Sequence, residues 1–110
     1  MDTEEYCRNI AGPGCGLKKV LNVIGGKWKP LILCMIDARG PMRYNELRRQ
    51  VKGITNTMLA QSLKEMELCG LVQRTQYPEI PVRVEYSLTQ KTEKLIPILL
   101  ELKGWGEKNL

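Results

Sequence analysis

The chain has 110 residues, a length that accommodates one modest hydrophobic core and leaves little room for a second domain. Apolar residues make up 43% of it, which is typical of a folded protein, and it contains no His and no Phe. No apolar run approaches the roughly 18 residues of a membrane span, and the acidic start lacks the layout of a signal peptide, so we expect a cytoplasmic protein with no membrane partner.

The net charge of +5 is unevenly distributed along the chain. The segment from Lys18 to Lys64 holds ten basic and two acidic side chains, a net charge of +8, whereas residues 1–17 carry −2 and residues 65–110 carry −1. Such clustering is expected of a surface that faces phosphates, although lysine and arginine also serve simply to solvate helices. Charge alone does not choose between these two interpretations.

The pattern predicts a polar arm over residues 1–15 and a single domain over residues 16–110. A first helix is predicted from about Leu17 to Ile24, and a second from about Lys29 to Ala38. Their apolar residues recur at helical spacing, so each helix is expected to bury one face. These predicted core faces are Leu17, Val20, Leu21 and Ile24 in the first helix, and Leu31, Ile32, Met35 and Ile36 in the second.

Two short helices joined by a tight turn are predicted next, over Tyr44–Val51 and Asn56–Cys69. Gly53 suits a turn position with positive φ, and Thr55 suits the N-cap of the fourth helix. The residues expected to face the core are Leu47, Val51, Leu59, Leu63 and Met66.

Two antiparallel strands are predicted over Leu71–Gln76 and Val82–Leu88, with a loop containing two prolines between them. Thr89 is expected to cap a last helix, Gln90–Asn109. Its predicted core face is Leu95, Ile98, Leu99, Leu102 and Trp105, and a second apolar stripe, Ile96 and Leu100, exceeds what one small core needs. The fold class is therefore α+β and mainly helical, a winged helix-turn-helix with extra N- and C-terminal helices, and the spare apolar stripe of the last helix favours a dimer.

The N-terminal end of the fourth helix has the small polar residues that can meet base edges in the major groove of DNA. Asn and Gln pair bidentately with adenine, and Thr contacts a thymine methyl group or a phosphate. Each residue alone is more often a cap or a solvated side chain, but together they favour DNA contact. The predicted set is Thr55, Asn56, Thr57, Gln61 and Lys64.

Three arginines on or before the supporting helix are candidates for phosphate contacts, which position a protein without specifying sequence: Arg43, Arg48 and Arg49. For Arg48 or Arg49, an ion pair with Glu46 or Glu65 is the alternative. Arg74 and Arg83 flank the wing, and one of them is predicted to reach the minor groove or a phosphate. The alternative is a cross-strand pair with Glu85.

The chain has four cysteines and neither a CxxC pair nor a His, so we expect no metal site and no cofactor. Cys34 and Cys69 are predicted to be buried, inert thiols. Cys15 directly precedes a predicted helix and has two lysines in the next turn, which is typical of a reactive thiol. Cys15 is thus either a reactive thiol whose oxidation or alkylation, with or without a bridge to Cys7 or to a cysteine of the partner subunit, changes DNA affinity, or a small residue filling the dimer interface.

Catalytic machinery is not recognisable in the sequence, which shows no paired carboxylates, phosphate-cradling loop or nucleophile elbow. We therefore expect a binding protein with no catalytic residues, not an enzyme. Two other functions stay open: a winged-helix module that binds protein without specific DNA binding, and a thiol enzyme that uses Cys15 as its nucleophile.

Several motifs together resemble the HxlR-type transcriptional regulators, a branch of bacterial winged helix-turn-helix proteins related to the MarR group. They are IGGKW at residues 24–28, RYNEL at 43–47, GIT at 53–55, Met58-Leu59, and RVEYSLT at 83–89. The likeness covers about residues 15–106. Val82 and Thr92 depart from it, since the family usually has a second proline and a glycine there, and Cys15 is followed by Gly16 instead of proline.

The resemblance implies a homodimer whose N- and C-terminal helices form the dimer interface. This homodimer binds a palindromic operator in double-stranded DNA and controls nearby genes, often as a repressor. It also implies a cysteine at the position of Cys15 that senses oxidants or electrophiles in several members. A small-molecule or electrophile effector is therefore a possible partner.

Overall fold

The computed structural model describes Gly12 and residues 14–110, so most of the predicted polar arm, with Cys7, lies outside the described residues. Along the chain, four helices are followed by a two-stranded antiparallel hairpin and then by a long last helix. In chain order the elements are α1 (Gly16–Ile24), α2 (Trp28–Arg39), α3 (Tyr44–Gln50), α4 (Asn56–Leu68), β1 (Val72–Tyr77), β2 (Arg83–Leu88) and α5 (Gln90–Asn109). This order confirms the predicted winged helix-turn-helix.

The core lies where α2 packs against α4 and α5 and against the base of the hairpin. All five residues predicted to face inward from α3 and α4 are buried: Leu47, Val51, Leu59, Leu63 and Met66. Their burial follows from helical spacing, because residues three and four apart share one face and only that face meets α2.

The turn between α3 and α4 is fixed by local chemistry. Gly53 has a φ of 89°, a left-handed conformation that a residue with a Cβ rarely adopts. The hydroxyl of Thr55 accepts a hydrogen bond of 3.1 Å from the backbone N–H of Met58, which satisfies one of the free amides at the start of α4. Both predictions for this turn are confirmed.

The hairpin is attached to the helices through a short extra bridge. Val72 lies opposite Leu88, and Tyr77 lies opposite Arg83. Met42 exchanges two backbone hydrogen bonds with Tyr86, of 3.0 and 2.8 Å. The wing is therefore held against the start of α3 by main-chain contacts.

The predicted core face of α1 is wrong except for Ile24. Leu17 is 59% exposed and Leu21 is 56% exposed, while only Ile24 is buried. In α2 the predicted Leu31 is exposed, and Leu33 is fully buried in its place. Helical spacing identifies an apolar face, but the described chain has no element that covers these faces.

In α5 the predicted faces are wrong in part. Ile96, assigned to the outer stripe, is buried together with Leu99. Four other apolar residues of this helix are exposed: Ile98, Leu100, Leu102 and Trp105. The helix carries apolar residues almost all round, so its spacing alone could not select the side that meets α2.

Thr89 precedes α5, but its side chain does not cap the helix. Its hydroxyl instead donates a 2.7 Å hydrogen bond to the carbonyl oxygen of Gly70, where α4 ends and the wing begins. None of the helices within the described part of the chain is both long and apolar enough to span a membrane.

Candidate nucleic-acid interface

The outer face of α4 carries the predicted DNA-reading residues, and all of them are exposed. They begin directly after the turn at Gly53, so the first turn of α4 projects from the body of the protein. The opposite face of the helix is fixed in the core by Leu59, Leu63 and Met66. With its inner face fixed in the core, α4 presents a short polar outer face: Thr55, Asn56, Thr57, Gln61 and Lys64.

Asn56, in the first turn of α4, is held by the supporting helix. The hydroxyl of Tyr44 lies 2.9 Å from the backbone carbonyl oxygen of Asn56 and 3.2 Å from its side-chain Oδ1. The sequence interpretation did not foresee this contact, because twelve residues separate the two positions and no local motif links them.

Gln61 is held from the other direction, within α4. Its Nε2 donates a 3.0 Å hydrogen bond to Oε1 of Glu65, and Oε2 of Glu65 lies 2.6 Å from Nζ of Lys29 on α2. Hydrogen bonds from Lys29, and then from Gln61, lower the pKa of Glu65 below its usual value. The i,i+4 spacing of Gln61 and Glu65 was a sequence signal that could have predicted their contact.

Arg48 and Arg49 of α3 do not form the ion pairs with Glu46 or Glu65 that were the alternative to phosphate contact. Arg48 and Arg49 are exposed, and no salt bridge involves either among the described residues. Glu65 pairs with Lys29, and an oxygen of Glu46 accepts a 3.2 Å hydrogen bond from the backbone N–H of Arg43. The guanidinium groups are therefore available to an external anion.

Arg83 at the start of β2 is engaged within the wing. Its guanidinium contacts carboxylate oxygens of Glu79 and Glu85, the latter at 3.0 Å, and lies 4.0 Å from the ring centre of Tyr77. Glu79 is the main cause of a raised pKa for Arg83. The Glu85 pair was the expected alternative, although it forms along β2 and not across strands.

A surface cleft of about 720 Å³ lies between α3 and the wing, and three of the residues predicted to contact phosphates line it. Arg43 and Arg49 line it from the side of α3, and Arg83 lines it from β2. Glu46 and Glu85 line the same cleft, and Arg83 pairs with Glu85. An anionic backbone entering the cleft therefore meets basic side chains on both sides, but it must compete with Glu85 for Arg83.

The described cysteines occupy three different environments. Cys15 is the half-buried N-cap residue of α1, and its backbone N–H donates a 3.1 Å hydrogen bond to the carbonyl oxygen of Gly12. Cys34 is half-buried and borders an apolar groove of about 530 Å³ between α2 and α5. Burial, aided by Asp37, raises its pKa. Cys69 is exposed, so its predicted burial is wrong: it follows the last residue of α4, where the helix turns away from the core.

Comparison with known proteins gives a consistent result. The family model for the HxlR-like helix-turn-helix matches residues 23–110. An uncharacterised HTH-type transcriptional regulator of Halalkalibacterium halodurans is 51% identical over 89 residues, which are 81% of this chain and 79% of that protein. YkvN of Bacillus subtilis, another HTH-type transcriptional regulator, is 49% identical over 92 residues, which cover 84% and 77% of the two chains.

Solved structures are similar over most of their length. The redox regulator HypR in its oxidised form has a TM-score of 0.80 and 44% identity, covering 87% of this chain and 98% of that one. Diamide-treated YodB from Bacillus subtilis has a TM-score of 0.70 and 33% identity, covering 84% and 90%. The residues matched by the family model, 23–110, include α2 to α5, and hence the polar face of α4 and the wing.

Proposed function

Since the chain belongs to the HxlR-like helix-turn-helix family and is a transcriptional regulator of that type, we propose that it represses genes by binding a palindromic operator as a homodimer. The observation that carries this proposal is the exposed polar face of α4, held rigidly beside an arginine-lined cleft. Such a helix fits the major groove, while the flanking arginines fit the phosphate backbone.

Three residues of α4 are proposed to read bases: Asn56, Thr57 and Gln61. Their side chains are exposed on the helix side that faces away from the core, and amides recognise adenine through paired donor and acceptor groups. The hydroxyl of Thr55 already accepts from Met58. Thr55 is therefore proposed to contact DNA through its methyl group or backbone while it caps the helix.

Five basic residues are proposed as phosphate contacts: Arg43, Arg48, Arg49, Lys64 and Arg83. Arg48 and Arg49 are the strongest of these candidates because they are exposed and form no ion pair within the described residues. To contact a phosphate oxygen, Arg83 must break its ion pair with Glu79 or Glu85. Its net contribution to affinity is therefore proposed to be smaller than that of Arg48 or Arg49.

A homodimer is proposed because apolar residues of α1 and α5 are exposed to an extent unusual for a small monomeric domain. Leu17 and Leu21 form one exposed set, and Ile98, Leu102 and Trp105 form another. Association of two copies around a twofold axis would bury both exposed sets on each subunit. The same twofold axis would place two copies of α4 about one helical turn of DNA apart, roughly 34–36 Å.

A thiol switch at Cys15 is proposed as the regulatory signal. HypR has been solved in oxidised and reduced forms, and YodB after treatment with diamide; both proteins share this fold. In this chain Cys15 borders α1, one of the two helices proposed to form the dimer. Oxidation by a disulfide-forming reagent, which removes two thiol hydrogens and leaves an S–S bond to a second cysteine, would therefore change the spacing of the two reading helices.

Fluorescence anisotropy tests this function with the full chain. Labelled DNA from upstream of its gene and of the neighbouring gene is titrated, against a scrambled sequence, across a salt series. We expect selective binding that weakens steeply with salt, because phosphate contacts release counterions. Weak binding that neither selects a sequence nor responds to salt would instead support a winged-helix module for protein partners.

A further inference from the structure

Two residues outside the proposed reading set hold the amides that lie within it. Tyr44 contacts Oδ1 of Asn56 at 3.2 Å, and Glu65 accepts from Nε2 of Gln61 at 3.0 Å. We propose that Tyr44 and Glu65 are positioning residues that fix the orientation of these two amides before DNA binds, and so set which bases the protein prefers. This inference rests on the proposed function, because it concerns the same face of α4.

An unrestrained amide side chain can turn its oxygen or its nitrogen towards a base, since its last torsion is broad and the two ends have similar shapes. The two orientations present opposite patterns of donors and acceptors, and so favour different bases. A reading residue whose amide is fixed beforehand presents one pattern only. The neighbour that fixes it therefore influences specificity without touching DNA.

Glu65 can fix only one orientation of Gln61. Its pKa is lowered, so it is ionised at neutral pH, and an ionised carboxylate accepts hydrogen bonds but cannot donate them. Gln61 must therefore turn its Nε2 towards Glu65, which leaves Oε1 and one amide hydrogen for DNA. The ion pair with Lys29, whose side chain is only 16% exposed, ties Glu65 to α2.

Tyr44 is similarly suited to hold Asn56. Its ring is half-buried and packs against the core at the start of α3, so the hydroxyl has little freedom. The hydroxyl contacts two oxygens of Asn56, and its single hydrogen is shared between them as a three-centre hydrogen bond. This contact directs Oδ1 towards α3, while Nδ2 keeps both hydrogens for a base.

Selection from a random pool of double-stranded DNA tests the inference with the full chain. The variants are Tyr44→Phe and Glu65→Ala, compared with Asn56→Ala and Gln61→Ala, and Tyr86→Phe is the matched control for loss of a tyrosine hydroxyl elsewhere. Ordering a free polar side chain during binding weakens affinity by about threefold to tenfold. Tyr44→Phe should reduce base preference by this factor at the positions that Asn56→Ala affects. Glu65→Ala should reduce it by the same factor at the positions that Gln61→Ala affects.

A variant of nearly the same shape tests the orientation argument. Glu65→Gln can donate a hydrogen bond as well as accept one, so it no longer fixes one orientation of Gln61 and should lose the same base preference as Glu65→Ala. Base preference identical to that of the unmodified protein in both Tyr44→Phe and Glu65→Ala would overturn the inference. A uniform weakening on all sequences would overturn it as well.

The free protein provides a readout that does not depend on DNA. Side-chain amide signals in ¹⁵N-correlated NMR spectra should shift for Asn56 in Tyr44→Phe, and for Gln61 in Glu65→Ala, but not in Tyr86→Phe. Unchanged amide signals would overturn the positioning roles even if DNA binding is confirmed. Shifted signals in a protein that selects no DNA sequence would show that the proposed function had failed, and the specificity role with it.

Discussion

The buried hydroxyl of Thr92 donates a 2.7 Å hydrogen bond to the backbone carbonyl oxygen of Leu71. This contact joins the first turn of α5 to the residue that precedes β1, and Thr89 reinforces it by donating to Gly70 at 2.7 Å. The base of the wing is thereby fixed to the helix whose outer face is proposed to form the dimer. The hydrogen bond of Thr92 thus links the stability of the fold to the position of the wing.

Thr92→Val should destabilise the protein while preserving the shape of the side chain. The variant removes the hydroxyl from a fully buried position and leaves the carbonyl oxygen of Leu71 without its shortest hydrogen bond, a loss of about 1–3 kcal/mol in the free energy of unfolding. Urea denaturation followed by circular dichroism measures it. Thr57→Val, at an exposed position, is the control and should change this free energy by less than about 0.5 kcal/mol. Equal stability of both variants would contradict the role of the hydrogen bond.

Leu102→Glu should convert the proposed dimer into a folded monomer. Leu102 is 65% exposed and lines the apolar groove between α2 and α5, so a charge there is tolerated by the single chain but not in a covered interface. Light scattering after size-exclusion chromatography measures the mass. Ile80→Glu, on the exposed loop of the wing, is the matched control and should remain a dimer. A monomeric unmodified protein would refute the dimer itself.

Asn56→Ala and Arg48→Ala should affect DNA binding in different ways. Loss of a good bidentate base contact relaxes preference at one base position by about 1–3 kcal/mol. Loss of a phosphate contact instead weakens binding to all sequences and reduces the slope of log affinity against log salt by about 1. Anisotropy titrations with operator and scrambled DNA at several salt concentrations distinguish the two. The assignment of the reading face fails if Asn56→Ala and Gln61→Ala both retain full preference.

Cys15→Ser should abolish the effect of diamide on operator affinity. Diamide accepts two electrons and two protons from a pair of thiols, so the response needs Cys15 and a second cysteine of either subunit. The variants Cys34→Ser and Cys69→Ser, in α2 and directly after α4, show whether either residue is that second cysteine, because its loss would abolish the response as well. The same anisotropy assay, before and after diamide, measures the response. A full response in Cys15→Ser would exclude the thiol switch.

Alkylation should distinguish Cys34 from Cys69 as the pH is varied. Burial raises the pKa of the Cys34 thiol. A smaller fraction of it is therefore thiolate near neutral pH than for an ordinary cysteine, and thiolate is the form that reacts. Cys69 is exposed. With iodoacetamide and peptide mass spectrometry at pH 7–9, we expect Cys34 to be modified more slowly than Cys69, and its rate to go on rising with pH over this range. Faster labelling of Cys34 would contradict its burial.

Elements with local causes could be predicted from the order of the residues. The spacing of Leu59, Leu63 and Met66 defines one face of α4, Gly53 permits the turn, and Thr55 caps the helix. Each depends on residues within a few positions, where helical geometry fixes which side chains are neighbours. The order of helices, turn and hairpin, and hence the fold class, followed from these local signals.

Which apolar faces are covered, and which polar side chains are held in place, depends on how the helices pack against one another. Ile96 is buried and Leu102 exposed although both lie on one apolar helix, because burial depends on where α2 packs and not on spacing along α5. Tyr44 reaches Asn56 across twelve residues, and Thr92 reaches Leu71 across twenty-one. Contacts at such separations arise from the packing of whole elements, which no local pattern encodes.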